Sequence, residues 1–148
     1  MHQYDIRMAT LADAGPLAAC IDQAYAHYEE TIPDLPDVSA GIEEDISRNS
    51  VWVATKSGLV VGGAIVIVQN PDAVLTNIAV APVARGTGLG RALMARVEDD
   101  CRRLGVHRLT LSTHVLMPRN IALYQHLGWQ ESGRDGNKVR MEKRLVSH

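Results

Sequence analysis

The chain has 148 residues, 46% of them hydrophobic and 22% charged, with a formal net charge of -2. That length suits one domain, residues 1–148, with a real core, and is short for two. With no surplus of basic residues, and only 2 Trp, 4 Tyr and no Phe to stack on bases, a nucleic-acid partner is not expected. The N-terminal stretch MHQYDIRMAT holds no apolar signal region and no later run approaches membrane-spanning length. The expected location is therefore the cytoplasm, with no membrane partner. Residues 3–7 read as a short first strand. Thr10-Leu11-Ala12-Asp13 reads as a helix start, with Thr10 placed to cap it and Asp13 suited to the positive end of the helix dipole. Leu17, Ile21, Ala24 and Tyr28 then share one helical face, with Tyr25 beside Tyr28 near the end. Residues 29–37 (EETIPDLPD) form a turn or loop, and a second short helix is expected over 38–49 with Ile42 and Ile46 inward. Residues 51–55 are a strand, Lys56-Ser57-Gly58 its turn, and 59–69 the next strand. Gly62-Gly63 within that strand points to a bulge or a close backbone approach. Asn70-Pro71-Asp72 turns the chain into a further strand, so this half reads as hairpin-linked and antiparallel.

The stretch 74–105 is the most informative. Val74, Leu75, Ile78, Ala79 and Val80 form a largely apolar strand closed by Pro82. Leu89, Leu93, Val97, Cys101 and Leu104 recur at helical spacing, and Gly105 is placed to end that helix in the left-handed conformation. Between strand and helix lies Arg85-Gly86-Thr87-Gly88-Leu89-Gly90, where the glycines let the backbone approach a ligand closely. No good capping side chain stands at the helix start. The first-turn amides of Leu89, Gly90 and Arg91 are therefore open, with about half a positive charge behind them. Such a turn suits a phosphate or pyrophosphate, and Arg85 adds a fixed cation. The dinucleotide pattern G-x-G-x-x-G fails at Arg91, and no Gly-Lys-Ser/Thr ending exists for a Walker loop.

Residues 108–113 alternate as a strand, expected to lie parallel to the central one because a helix connects them. Residues 120–127 form a short helix stopped by Gly128, with Asn120 and Tyr124 on one face and Leu123 and Leu127 facing inward. Residues 129–134 and 138–145 are the last strands, joined at Asp135-Gly136-Asn137. The order is β-α-α-β-β-β-α-β-α-β-β, which implies an α/β (α+β) fold: a mixed, mostly antiparallel sheet of six or seven strands with helices on both faces. Cys20 and Cys101 each fall on an apolar helix side and have neither zinc nor disulfide-framework spacing. No histidine spacing suggests a metal site.

Arg85, Gly88 and Gly90 fit R-x-x-G-x-G, and Leu123-Tyr124-Gln125-His126-Leu127-Gly128-Trp129 fits the pattern L-Y-x-x-x-G-F/W. On these residues, and on the order of its elements, the chain resembles the GNAT superfamily of acyl-CoA-dependent N-acyltransferases. The resemblance implies that residues 85–91 hold the pyrophosphate of coenzyme A. It implies that backbone groups of Ile78, Ala79 and Val80 orient the pantetheine arm and thioester, and that Tyr124 protonates the leaving thiolate. One departure from the family pattern is that Met117 and Asn120 stand where asparagine and alanine are usual. Asn120 either contacts the pantetheine arm or caps the helix.

N-acylation needs a neutral amine, and holding a lysine-like amine neutral at pH 7 costs roughly 4 to 5 kcal/mol. Many family members place a glutamate on the central strand, but here that strand reads Thr76-Asn77-Ile78. His114 is the candidate base, with Glu29, Glu30 or a water relay as alternatives. The acids Glu29, Glu30, Asp34, Asp37, Glu43, Glu44 and Asp45 favour a cationic acceptor. The expected activity is acetyl transfer from acetyl-CoA to a primary amine of a small molecule or peptide, by direct attack in a ternary complex. The alternative is a non-catalytic acyl-CoA-binding sensor or regulatory module; a more distant one is a nucleotide-binding protein. Dimers are common in the family, so a homodimer is among the expected assemblies.

Overall fold

The computed structural model describes residues 4–29 and 41–145. Its strands are β1 (Asp5–Met8), β2 (Ser50–Lys56), β3 (Leu59–Gln69), β4 (Asp72–Val80), β5 (Arg108–His114), β6 (Gln130–Asp135) and β7 (Lys138–Arg144). Its helices are α1 (Ala14–Glu29), α2 (Ile42–Arg48), α3 (Leu89–Arg103) and α4 (Pro118–His126). The strands make one sheet in the order β1-β2-β3-β4-β5-β7-β6. Neighbours are antiparallel except β4 and β5, which are parallel as the intervening helix requires. This is the mixed, mostly antiparallel sheet expected. The acids Glu30, Asp34 and Asp37, the side chain of Tyr28 and the predicted helical residues 38–40 lie outside the described residues. Among the described residues no helix is long and apolar enough to cross a membrane.

Strand alternation sends successive side chains to opposite faces. Val51, Val53 and Ile65 pack with Leu17, Ile21 and Ile42 of α1 and α2 on one face. Trp52, Ala64, Val66, Leu75 and Leu109 pack with Met94, Val97 and Cys101 of α3 on the other. Leu89 and Leu93, at the start of α3, meet Cys20 and Ala54 in a third cluster. The expectation for Leu104 needs correction: it is exposed, and Val106 is buried in its place. Gly105 takes φ 80, and its N–H bonds Arg102 O at 3.1 Å while Val106 N–H bonds Cys101 O at 2.9 Å. This left-handed ending folds the chain back so that Val106, rather than Leu104, covers Cys101.

Gly62 and Gly63 serve both expected purposes. The β2–β3 register skips Val61, a bulge, as it passes from Ala54↔Gly62 to Thr55↔Val60. A Cβ on Gly62 would stand 3.0 Å from Leu89 Cδ2, and one on Gly63 would stand 2.5 Å from Leu17 Cδ1 and 2.8 Å from the Trp52 carbonyl. These two glycines let α3 and α1 lie close on opposite faces. Since the Trp52 carbonyl cannot move aside as a methyl can, Gly63→Ala should cost about 1–3 kcal/mol. For a domain of this size that lowers Tm by roughly 4–10 °C in thermal denaturation. Gly62→Ala, whose nearest neighbour is a flexible leucine methyl, should cost less.

Candidate active site

β4 and β5 pair only through Asp72↔Arg108, Ala73↔Leu109 and Val74↔Thr110. Just beyond, Thr76 is an extra residue in the β3–β4 ladder, between Leu75↔Val66 and Asn77↔Ile65, and its Oγ1 donates to Ile65 O at 3.3 Å. A bulge bends and twists its strand, so β4 leaves β5 here. Beside the unpaired part of β4 lies a cavity of about 550 Å³. Its walls are Ile78, Ala79 and Val80 of β4; Arg85, Gly90 and Met94 from the turn and α3; Ala24 and Tyr25 of α1; and Pro118, Arg119, Asn120, Leu123, Tyr124 and Leu127 from α4 and its end.

The direction of the β4 backbone follows from one bond. Ala81 N–H donates to Val61 O at 2.8 Å, so it points to β3. By strand alternation Ala79 points the same way, and its carbonyl lies 3.1 Å from where a Cβ on Gly62 would be. Ile78 and Val80 therefore turn their N–H and C=O groups away from β3, toward the cavity. Of the three strand positions expected to hold the pantetheine arm, these two offer backbone groups and Ala79 offers only its methyl.

The turn after β4 passes through a short 3-10 segment, Pro82–Ala84. Gly86 and Gly88 have φ 77 and 84, and nothing lies within 4 Å of a Cβ at either. The Thr87 hydroxyl donates to Ala84 O instead of capping α3. The first intrahelical bond runs from Ala92 N to Gly88 O at 3.1 Å. The amides of Leu89, Gly90 and Arg91 thus lack a side-chain cap, as the sequence led one to expect. Leu89 contributes only its amide, since its side chain is buried in the core. Gly86, Thr87, Gly88 and Arg91 are exposed in the turn and first helical turn. Arg85 Nη2 donates to Ala24 O at 3.0 Å, tying the turn to α1.

Among the described residues, the charged groups on the cavity wall are Arg85 and Arg119, with no carboxylate. Arg119 sits in the first turn of α4, where the helix dipole disfavours a cation. It gains no stability from the helix dipole there, and its charge is available to an anion in the cavity. Sequence motifs assign no site role to Arg119, Tyr25 or Met94. A basic residue in a helical first turn without acids was the signal for the first of these.

Tyr124 is placed by the way α4 ends. Gly128, at φ 97, lets its N–H bond Gln125 O at 3.1 Å and Trp129 N–H bond Tyr124 O at 2.9 Å. The Trp129 ring then lies against Tyr124 with centroids 5.9 Å apart and planes at 56°. Tyr124 is 7% exposed. Burial, with a further contribution from the nearby Tyr25 phenol, pushes its pKa well above the ordinary 10.0.

Three other expectations resolve differently. His114 is not among the cavity walls. It ends β5 opposite Lys138, and its Nδ1 accepts the Leu116 N–H at 3.0 Å as the chain turns away from the sheet. Glu43, Glu44 and Asp45 also lie off the cavity, and the side chains of Glu29 and Glu30 lie outside the described residues. Asn120 does line the cavity. It is not the cap, because α4 begins at Pro118, a residue with no N–H to leave unpaired. Asn120 Nδ2 donates to Met117 Sδ at 3.4 Å, which fixes its amide in the wall. Both Leu123 and Leu127 line the cavity; Leu127 also packs against the core as expected, while Leu123 is exposed.

Comparison with known proteins matches the acetyltransferase (GNAT) family over residues 18–129, which takes in all four walls. The chain is similar to the IAA acetyltransferase of Azospirillum brasilense, 32% identical over 131 residues, 84% of this chain and 86% of that one. It is also similar to the [ribosomal protein bS18]-alanine N-acetyltransferase of Escherichia coli (strain K12), 38% identical over 78 residues, 53% of each chain. The fold matches that of the PaiA N-acetyltransferase from Thermoplasma acidophilum, solved in complex with coenzyme A, with a TM-score of 0.85 at 18% identity, over 98% of this chain and 100% of that one. The chain therefore belongs to the GNAT family of acetyltransferases and is an acetyl-CoA-dependent N-acetyltransferase.

Proposed function

We propose that the cavity takes acetyl-CoA along β4 and that the acetyl group passes directly to a primary amine in a ternary complex. The observation that carries this reading is Tyr124: a buried phenol on the wall of a cavity whose charged side chains, among the described residues, are arginines. The residues present fit the donor. Uncapped amides of Leu89, Gly90 and Arg91, with Arg85, suit its pyrophosphate. The open space at Gly86 and Gly88 leaves that approach clear. Backbone groups of Ile78 and Val80 hold the amide-bearing arm and polarise the thioester carbonyl, as unpaired strand groups can. Asn120 adds a side-chain amide on the opposite wall.

Acetyl-CoA supplies the activated acetyl group. The amine nitrogen bonds to the acetyl carbon, the carbon–sulfur bond breaks, and Tyr124 Oη gives its proton to the departing sulfur. Burial keeps that phenol protonated, and the same dry surroundings raise the proton affinity of the sulfur. Solvent then reprotonates Tyr124. Neither Cys20 nor Cys101 lines the cavity, so no cysteine on its walls carries the acetyl group in between. With no carboxylate or imidazole among the described walls, the amine loses its proton to solvent water. The α-amino group of a peptide is neutral at pH 7 for about 1 kcal/mol, against roughly 4 to 5 for a lysine-like amine, so peptide α-amines are the favoured acceptors. The test is release of free thiol from acetyl-CoA across a panel of α-amino, lysine-like and polyamine acceptors. Release led by α-amines supports the reading. Release no faster than hydrolysis with every amine would overturn it.

A further inference from the structure

Glu98 carries a charge into the core: it is 7% exposed, on α3, one turn after Met94 of the cavity wall. Lys143 of β7 reaches it, with Nζ 3.0 Å from Oε1 and 3.1 Å from Oε2. The same ammonium donates to the Leu127 carbonyl at 2.7 Å. Arg102 Nη2 stands 3.5 Å from Glu98 Oε1. Leu127 is the residue on which α4 ends, one turn after Tyr124. Lys143 also lies over Gly128, where a Cβ would be 3.3 Å from its Cε and 3.4 Å from its Nζ.

One ammonium thus joins three elements. It ties the helix whose first turn faces the donor to the end of the helix that presents the phenol, and anchors both on the sheet. A buried ion pair is a poor source of stability, because desolvation cancels most of the attraction. It is a good source of fixed geometry, because each remaining lone pair and proton must keep its partner. The last turn of α4 carries the glycine that aims Trp129 at Tyr124, and Lys143 bonds the carbonyl just before that glycine.

We propose that Lys143 is a positioning residue for acetyl transfer: it holds the end of α4 against α3 so that Tyr124 keeps its place on the cavity wall. This rests on Tyr124 being the proton donor. The test is a double-mutant cycle on the full chain with acetyl-CoA and a responsive amine, using wild type, Lys143→Met, Tyr124→Phe and the pair. Lys143→Met should lower kcat about tenfold or more, as a small misplacement does, with KM for acetyl-CoA unchanged. It should add no further loss in the Tyr124→Phe background. In the free protein, Lys143→Met should weaken the near-ultraviolet circular dichroism of the Tyr124–Trp129 pair. Lys143→Arg, which still donates to both carboxylate and carbonyl, should keep turnover and spectrum. Losses that multiply in the pair, or an unchanged spectrum in Lys143→Met, would overturn the proposal. If Tyr124→Phe alone left turnover intact, the proton-donor reading would fail first, and the positioning role with it. Should Lys143→Met not fold, Glu98→Gln runs the same cycle with the same outcomes.

Discussion

Tyr124→Phe is expected to leave KM for acetyl-CoA within about twofold of wild type while kcat falls about 100-fold or more. The substitution is unusually clean in this setting. The phenyl ring keeps its contact with Trp129, so folding should not suffer. The pH profile adds a second check. Burial raises the phenol pKa above 10.0, so the group stays protonated as pH rises to that value. Wild-type kcat should therefore show no alkaline fall from this residue below pH 10. Unchanged turnover in the variant, or an alkaline limb below that pH which the variant abolishes, would remove Tyr124 from the proposed role.

Gly88→Val should abolish measurable acetyl-CoA binding, a loss of about 100-fold or more by calorimetry, or roughly 3 kcal/mol. The residue has φ 84, a conformation that costs a side-chain-bearing residue about 1–2 kcal/mol. Nothing in the protein lies within 4 Å of its Cβ. The added side chain would start in open space at the turn proposed to hold the donor's pyrophosphate. Strain also re-aims the amides that follow. Gly58 provides the control, because it has φ 80 and equally open surroundings but sits in the β2–β3 turn, away from the cavity. Gly58→Val should lower stability by a similar amount and leave acetyl-CoA affinity intact. Equal affinity losses in both variants would mean that strain alone, rather than the phosphate site, explains the effect.

Much of the fold could be read from local chemistry. Glycine and proline punctuate β4, its turn and both ends of α3, and those boundaries depend on backbone conformations few other residues adopt. The hairpin-linked strands and the parallel β4–β5 pair followed from connection lengths in the same way. What could not be read depends on contacts distant in sequence. Periodicity put Leu104 and Leu123 inward, but it cannot tell where a helix turns back or which apolar face borders a cavity. The burial of Glu98 depends on Lys143, 45 residues later. His114 was a reasonable base by residue type, but residue type does not tell which side chains line the cavity, and His114 is not among its walls. The Thr76 bulge that opens the sheet has no marker in the local sequence.

The two cysteines carry a practical consequence. Cys20 and Cys101 are both buried and unpaired in any disulfide. Burial, with the carboxylates of Asp100 and Glu98 adding to it, pushes the Cys101 thiol up to about 12, and burial also raises that of Cys20. Thiolate, not thiol, attacks disulfide reagents and maleimides. The native enzyme should thus be nearly silent to such dyes, and a chromogenic disulfide can follow product formation continuously without consuming the catalyst. A rise in dye uptake with heat or urea would then report unfolding in the same cuvette.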